Sequence, residues 1–247
     1  MVRHKGGLLA AFFVACSLPD AESCCIRIKN QEQNMSGQLQ GIIVPVTSFQ
    51  QNCTILFDSE TKRGVVIDPG GDVEKIQSAI KDQGLQIDAI WLTHGHIDHA
   101  GGAMDLKDAL GVEIIGPHKD DAPLLQALEK QAQMFGVATV RNVVPDRWLE
   151  EGETVSFEGH EFAVYHCPGH APGHVIFYNE AAAFAHVGDV LFAGSIGRTD
   201  LPGGDHEALI NSIKTKVLPL GDDVGFICGH GPGGKIGEER RNNPFLK

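Results

Sequence analysis

The sequence predicts an α+β fold in which two β-sheets pack face to face with helices on the outer faces. Three observations lead there. From about Gln40 onward, short runs rich in β-branched residues alternate with amphipathic segments. The alternation recurs in two similar halves with no low-complexity linker, and strand-heavy stretches must bury their apolar faces on one another. At 247 residues the chain has room for one sizeable domain, and 42% hydrophobic against 21% charged residues is an ordinary globular balance. The expected domain covers residues 37–247.

Ile42–Val46, Cys53–Phe57 and Val65–Ile67 read as strands bounded by polar or glycine positions. Asp72 is placed to cap a helix over Val73–Gln83, closed by Gly84. A strand Ala89–Thr93, a helix Ala100–Leu110 and a strand Val112–Ile115 follow, then a longer helix Asp120–Phe135 that stops at Gly136. The second half reads as strands Thr154–Phe157, Glu161–His166, His174–Tyr178 and Ala183–Val187, a helix Ala208–Val217 and a last strand Val224–Cys228.

Residues 1–36 differ. Arg3, His4 and Lys5 precede the apolar run Leu8–Cys16, an order that resembles a secretory signal, but no small-x-small cleavage site follows. The run is too short to span a bilayer. The expectation is a disordered extension, or a start called early with Met35 as the working start; export is the alternative. The six cysteines show neither CxxC spacing nor a disulfide framework. Free thiols fit a reducing compartment, so a cytoplasmic location is expected. Cys167 and Cys228 read as small buried hydrophobes. A net charge of −12 without a basic stripe argues against a nucleic-acid partner.

The chemistry concentrates in Thr93-His94-Gly95-His96-Ile97-Asp98-His99. At this spacing the side chains converge only where the backbone turns, which Gly95 permits. Imidazoles with a carboxylate suit zinc or iron better than calcium or magnesium. Three further candidates, His170, Asp189 and His230, each follow a predicted strand and lie beside glycine. Strand-end loops of this kind are held in register by the sheet. His4, His118, His160, His166, His186 and His206 lack such a setting and are expected at the surface or in local hydrogen bonds.

These motifs resemble those of the metallo-β-lactamase superfamily, and within it the glyoxalase II-like group of small single-domain hydrolases. The resemblance runs from about Gly41 to the end. It implies an αββα sandwich holding two divalent cations, zinc in first place with iron or manganese as alternatives. One cation would be held by His94, His96 and His170, the other by Asp98, His99 and His230, with Asp189 bridging. Asp98 would also orient the nucleophile, and Asp68 would stand behind the ligands, a plain turn or cap residue being its other reading. His174 would be a structural neighbour.

The implied reaction is attack of a metal-bridging hydroxide on a thioester, S-lactoylglutathione or a related acylglutathione. The partner is then a small-molecule thioester, with no membrane role, for a monomer or small homo-oligomer. Asp189 sets the chain apart from the β-lactamases of this fold, which lack that aspartate. Two departures remain. The helical domain that supplies basic residues to glutathione is missing, since only about 17 residues follow His230. In Gly197-Arg198-Thr199-Asp200, Arg198 matches a basic residue that holds a glutathione carboxylate, whereas Asp200 stands where the hydrolases have tyrosine. That form resembles persulfide dioxygenases, so a mononuclear iron enzyme acting on glutathione persulfide is the alternative. An Arg198–Asp200 salt bridge is the plainer role for Arg198.

Overall fold

The computed structural model describes residues 24–27, 37–137 and 140–247. The first sheet holds β1 (Cys24–Arg27), β2 (Leu39–Val46), β3 (Gln51–Asp58), β4 (Arg63–Ile67), β5 (Gln86–Trp91) and β6 (Glu113–Ile115) in that spatial order. β1 to β4 pair antiparallel, whereas β4, β5 and β6 run parallel. The parallel pairs need crossovers, supplied by α1 (Val73–Asp82) and by α2 (Ile97–Ala100) with α3 (Ala103–Leu110). Helices α4 (Ala122–Leu125) and α5 (Leu128–Phe135) then lead to the second half.

There β7 (Thr154–Phe157), β8 (His160–His166), β9 (Val175–Asn179) and β10 (Phe184–His186) form a meander. A small hairpin of β11 (Leu191–Phe192) and β12 (Ser195–Ile196) and helix α6 (His206–Ser212) precede β13 (Gly225–Ile227), which pairs parallel to β10. β14 (Gly234–Lys235) and α7 (Ile236–Asn242) close the chain. The second sheet reads β14-β13-β10-β9-β8-β7.

Strand alternation builds the layers. Leu56, Val65, Ile67 and Trp91 face the second sheet and meet Phe162, Val164 and Phe177 between the sheets. Their neighbours Ile55, Phe57, Val66 and Ile90 face outward beneath Ile76, Ile80 and Leu106 of α1 and α3. Across the molecule, Ile176, Ala185 and Phe226 carry Leu209, Ile213 and Ile236 on the outer face. This is the αββα sandwich.

Local departures from the sequence reading have physical causes. The segment Ala100–Leu110 breaks between α2 and α3 because Gly101 and Gly102 pack backbone to backbone against Gly70 and Pro69, with Gly102 N–H on Pro69 O at 2.8 Å. The long helix Asp120–Phe135 is a 3-10 turn, Lys119–Asp121, followed by α4 and α5. Ala208–Val217 is α6 plus a π-helical turn, Ile213–Val217. Asp72 gives α1 no side-chain cap; it sits left-handed at φ 46 and accepts Thr47 N–H at 2.7 Å.

In the expected extension, residues 24–27 form an edge strand on β2; the remainder of 1–36, with His4, Cys16 and Met35, lies outside the described residues. No helix among the described residues is long and apolar enough to cross a membrane.

Candidate metal centre

β8, β10 and β13 run in the same direction, so their C-terminal ends, and the loops bearing His170, Asp189 and His230, lie together. The loop after β5 brings His94 to His99 to the same place. Gly95 serves there differently from the sequence reading. It takes no left-handed backbone; a Cβ at Gly95 would stand 2.8 Å from Leu124 Cβ, so close packing demands glycine. A Cβ at Gly229 would stand 2.1 Å from Asp189 Oδ1 and 2.5 Å from His99 Cε1, inside the centre itself.

The potential ligand atoms of His94, His96 and His170 lie within 4.8 Å of one another, and so do those of Asp98, His99 and His230. His96 Nδ1 and His170 Nε2 are 2.9 Å apart, and His230 Nε2 is 3.1 Å from Asp98 Oδ2. Asp189 stands between the groups: Oδ2 is 3.5 Å from His170 Nε2 and 3.6 Å from His230 Nε2, and Oδ1 is 3.4 Å from His99 Nε2.

The donor set fits a pair of transition-metal dications. His94 Nε2, His99 Nε2 and Asp189 Oδ1 are buried with no hydrogen-bond partner. Leaving such groups unsatisfied costs about 1–3 kcal/mol each, and two of them, His99 Nε2 and Asp189 Oδ1, face each other at 3.4 Å. The outer ring nitrogens are engaged. His94 Nδ1 contacts Thr93 Oγ1 at 3.0 Å, His99 Nδ1 donates to Asp68 at 2.9 Å, His170 Nδ1 to Arg198 O at 2.8 Å and His230 Nδ1 to Phe49 O at 3.2 Å. These outer bonds turn each inner Nε2 toward the centre, where those of His94 and His99 have no hydrogen-bond partner.

The Metallo-beta-lactamase superfamily profile matches residues 46–230. The chain belongs to the metallo-β-lactamase superfamily. It is 49% identical over 205 residues to the hydroxyacylglutathione hydrolase GloC of Haemophilus influenzae, spanning 83% of this chain and 96% of that one. The solved structure of BLEG-1, a B3 metallo-β-lactamase, matches with a TM-score of 0.78 at 36% identity, covering 83% and 99% of the two chains. TTHA1623 in a di-iron-bound form matches with a TM-score of 0.75 at 41% identity and the same coverage.

Behind these candidate ligands lies a frame of hydrogen bonds. Asp68 is fully buried with a left-handed backbone (φ 53), strain of about 1–3 kcal/mol for a non-glycine residue. Thr93 N–H (2.7 Å), Thr93 O–H (2.6 Å) and His99 (2.9 Å) all bond its carboxylate and hold it in place. His174 stacks on His94 with ring centroids 4.7 Å apart and accepts Asp189 N–H at 3.0 Å, outside the groups that could hold an ion.

Three side chains that brace the candidate ligand loops escaped the sequence reading. Asp121 accepts Gly95 N–H at 2.7 Å through one oxygen and Gly173 N–H through the other, joining the loops of His94 and His170. Gln131 of α5 accepts Ile97 N–H at 3.0 Å and donates to Gly95 O at 3.2 Å. Asn52 donates to Cys228 O at 3.0 Å and Gly231 O at 2.8 Å, bracketing His230. The one available signal was a polar residue on the buried side of an amphipathic segment.

Burial, reinforced by neighbouring imidazoles, holds His94 and His174 well below the ordinary imidazole value and takes His96 to about 3. Burial pushes the same way at His99 and His230, but the carboxylates of Asp98 and Asp189 overcome it and raise both. Burial alone would raise Asp189; His99, His170 and His230 instead hold it well below the carboxylate range. The two aspartates thus favour the protonated form of both His99 and His230.

Other expectations resolve simply. Cys167 and Cys228 are buried, their thiols pushed up to about 12 by burial, and neither joins the centre. His118, His160 and His186 are buried rather than at the surface, bonded to Glu150, Asp58 and Thr54, and His206 is exposed. Arg198 sits at the rim with its guanidinium doubly bonded to Asp200 at 2.8 and 2.7 Å. A cavity of about 670 Å³ opens above His96, Asp98, His170, Asp189 and His230.

Proposed function

We propose that this protein is a metal-dependent hydrolase that cleaves a thioester, S-lactoylglutathione or a related acylglutathione, at a two-cation centre. The observation that carries the reading is the Asp189 carboxylate, set 3.4–3.6 Å from His99, His170 and His230, with its own Oδ1 and the His94 and His99 Nε2 atoms lacking any hydrogen-bond partner. His94, His96 and His170 would hold one cation and Asp98, His99 and His230 the other, with Asp189 shared. Imidazole and carboxylate donors suit zinc first, with iron or manganese also admissible. Two such ions supply an activated water near neutral pH and stabilise the oxyanion of acyl transfer.

The chain's own residues do the rest. Asp98, partly open to the cavity, holds and orients the nucleophilic water while bonded to His230. Asp68 fixes the His99 ring, and the Arg198 carbonyl fixes that of His170. A thiolate departs without a general acid, which suits a cavity floor whose carboxyls, Asp98 and Asp189, are both held ionised. The similarity to a hydroxyacylglutathione hydrolase over nearly its full length supports the thioester class. The free thiols of Cys53, Cys167 and Cys228 support a reducing, cytoplasmic setting. Residues 37–247 form the catalytic unit in this reading.

The test is metal content together with product analysis. Two metals per chain, with thiol release from S-lactoylglutathione that is independent of oxygen, is the expected result. One iron with oxygen uptake and sulfite formation from glutathione persulfide would overturn it. Hydrolysis of a chromogenic cephalosporin in preference to any thioester would transfer the activity to β-lactams.

A further inference from the structure

The cavity above the centre is polarised. Beside His230 its wall is aromatic. Phe49, whose carbonyl takes the His230 ring N–H, stands edge-on to Phe135 with ring centroids 6.0 Å apart. Phe192 lies 6.4 Å from the His230 ring, and Ile97 and Pro232 also line the cavity. Phe135 is 48% exposed. A phenyl ring held half in water at a cavity mouth gains when an apolar group covers it.

Beside His170 stands Arg198, the one Arg or Lys among the described residues lining the cavity. Both of its bonds go to Asp200, and both side chains are exposed. A carboxylate on the thiol carrier would meet a guanidinium whose charge Asp200 already offsets through two bonds, in a solvent-screened setting. Charge therefore contributes little selection here, and apolar contact contributes most of it.

Resting on the thioester reading, we infer that this site selects its substrate by a bulky apolar acyl group, aromatic or branched, seated at the Phe49–Phe135 end. The carboxylates of the thiol carrier contribute little. The chemistry balances as ordinary hydrolysis. The water oxygen bonds to the acyl carbon, and the C–S bond breaks with its electron pair on sulfur. The products are a carboxylate, a thiol and one proton released to solvent.

The experiment compares kcat/KM for acetyl, lactoyl and phenylacetyl thioesters of one neutral thiol, N-acetylcysteamine, and for S-lactoylglutathione, using metal-loaded protein. Phenylacetyl should exceed acetyl by roughly tenfold, the scale on which apolar pockets discriminate. The two lactoyl thioesters should agree within a few-fold and respond weakly to salt. Phe135→Ala should bring the phenylacetyl-to-acetyl ratio close to one, whereas Phe135→Leu should retain most of it.

Calorimetric binding to metal-free protein gives a readout apart from turnover. The S-phenethyl thioether of N-acetylcysteamine should bind roughly tenfold tighter than the S-ethyl one. Turnover with a flat or acetyl-favouring series, or a hundredfold preference for the glutathione carrier, overturns the inference and leaves the thioesterase reading standing. Turnover of no thioester overturns both.

Discussion

Among the described residues, histidines gather in two clusters, and only the one around Asp189 has donors converging on a shared carboxylate. His118 and His166, with Asp120 beside them, lie close enough to hold an ion. Their rings, however, stack at 4.2 Å with planes 19° apart, so the ring nitrogens point side by side instead of converging. Each is also satisfied locally, His118 by Glu150 at 3.0 Å and His166 by Pro172 O at 2.8 Å. In the cluster around Asp189 the outer nitrogens are bonded to the surrounding frame, and the inner ones of His94 and His99 have no partner. Convergence of donor atoms on a shared carboxylate, and not histidine density, distinguishes a ligand set from a packing arrangement.

Asp189→Ala gives the sharpest break in that contrast. Loss of the shared carboxylate should lower kcat by about a thousandfold or more and reduce metal content, since metal stabilisation of the transition state is worth several kcal/mol. An unchanged rate rejects the shared-ligand assignment. Asp68→Asn removes the charge behind His99 and should weaken metal affinity roughly 10–100-fold in a chelator competition. Wild-type affinity would reduce Asp68 to a turn residue.

Acidity should separate the clusters further. His99 and His230 have values raised above the ordinary imidazole value by Asp98 and Asp189. In the metal-free chain their pairing therefore stabilises the fold below the unfolded imidazole value and is lost as pH rises through the raised values. Metal must expel those protons, so affinity should fall as pH drops, by about tenfold per unit for each proton released. Calorimetry in buffers of different ionisation enthalpy counts the protons, and uptake without proton release would contradict the charge arrangement.

Asp121→Ala strands the N–H groups of Gly95 and Gly173. It should cost about 1–3 kcal/mol in denaturant unfolding and weaken metal retention, with Asp121→Asn recovering part of both. His166→Ala should change neither metal content nor kcat by more than about twofold, the ordinary consequence of a change outside the reacting centre. A lost metal equivalent in that variant would erase the distinction between the clusters.

Much was legible before any coordinates. His94 to His99 are contiguous, and His170, Asp189 and His230 each sit in a glycine-flanked loop at a strand end, so residue type and local spacing were enough to nominate them. The alternating faces of β3, β4 and β5 were equally readable, because a period of two is a local property of the strand. Asp121, Gln131 and Asn52 were not, since each acts by a hydrogen bond to backbone brought near by folding. Nor was the role of Gly95, which depends on where Leu124 packs.

The same division holds across the molecule. Local pattern specified which residues were chemically able to bind a cation and which strands would carry them. Packing between distant segments then broke the helices at Gly101-Gly102, turned Asp72 from a cap into a tether for Thr47, and assembled the Phe49–Phe135 wall from a strand turn and a helix end. A backbone conformation and a ligand type are written in a few adjacent residues, whereas hydrogen-bond partners and cavity walls are relations between segments far apart in the chain.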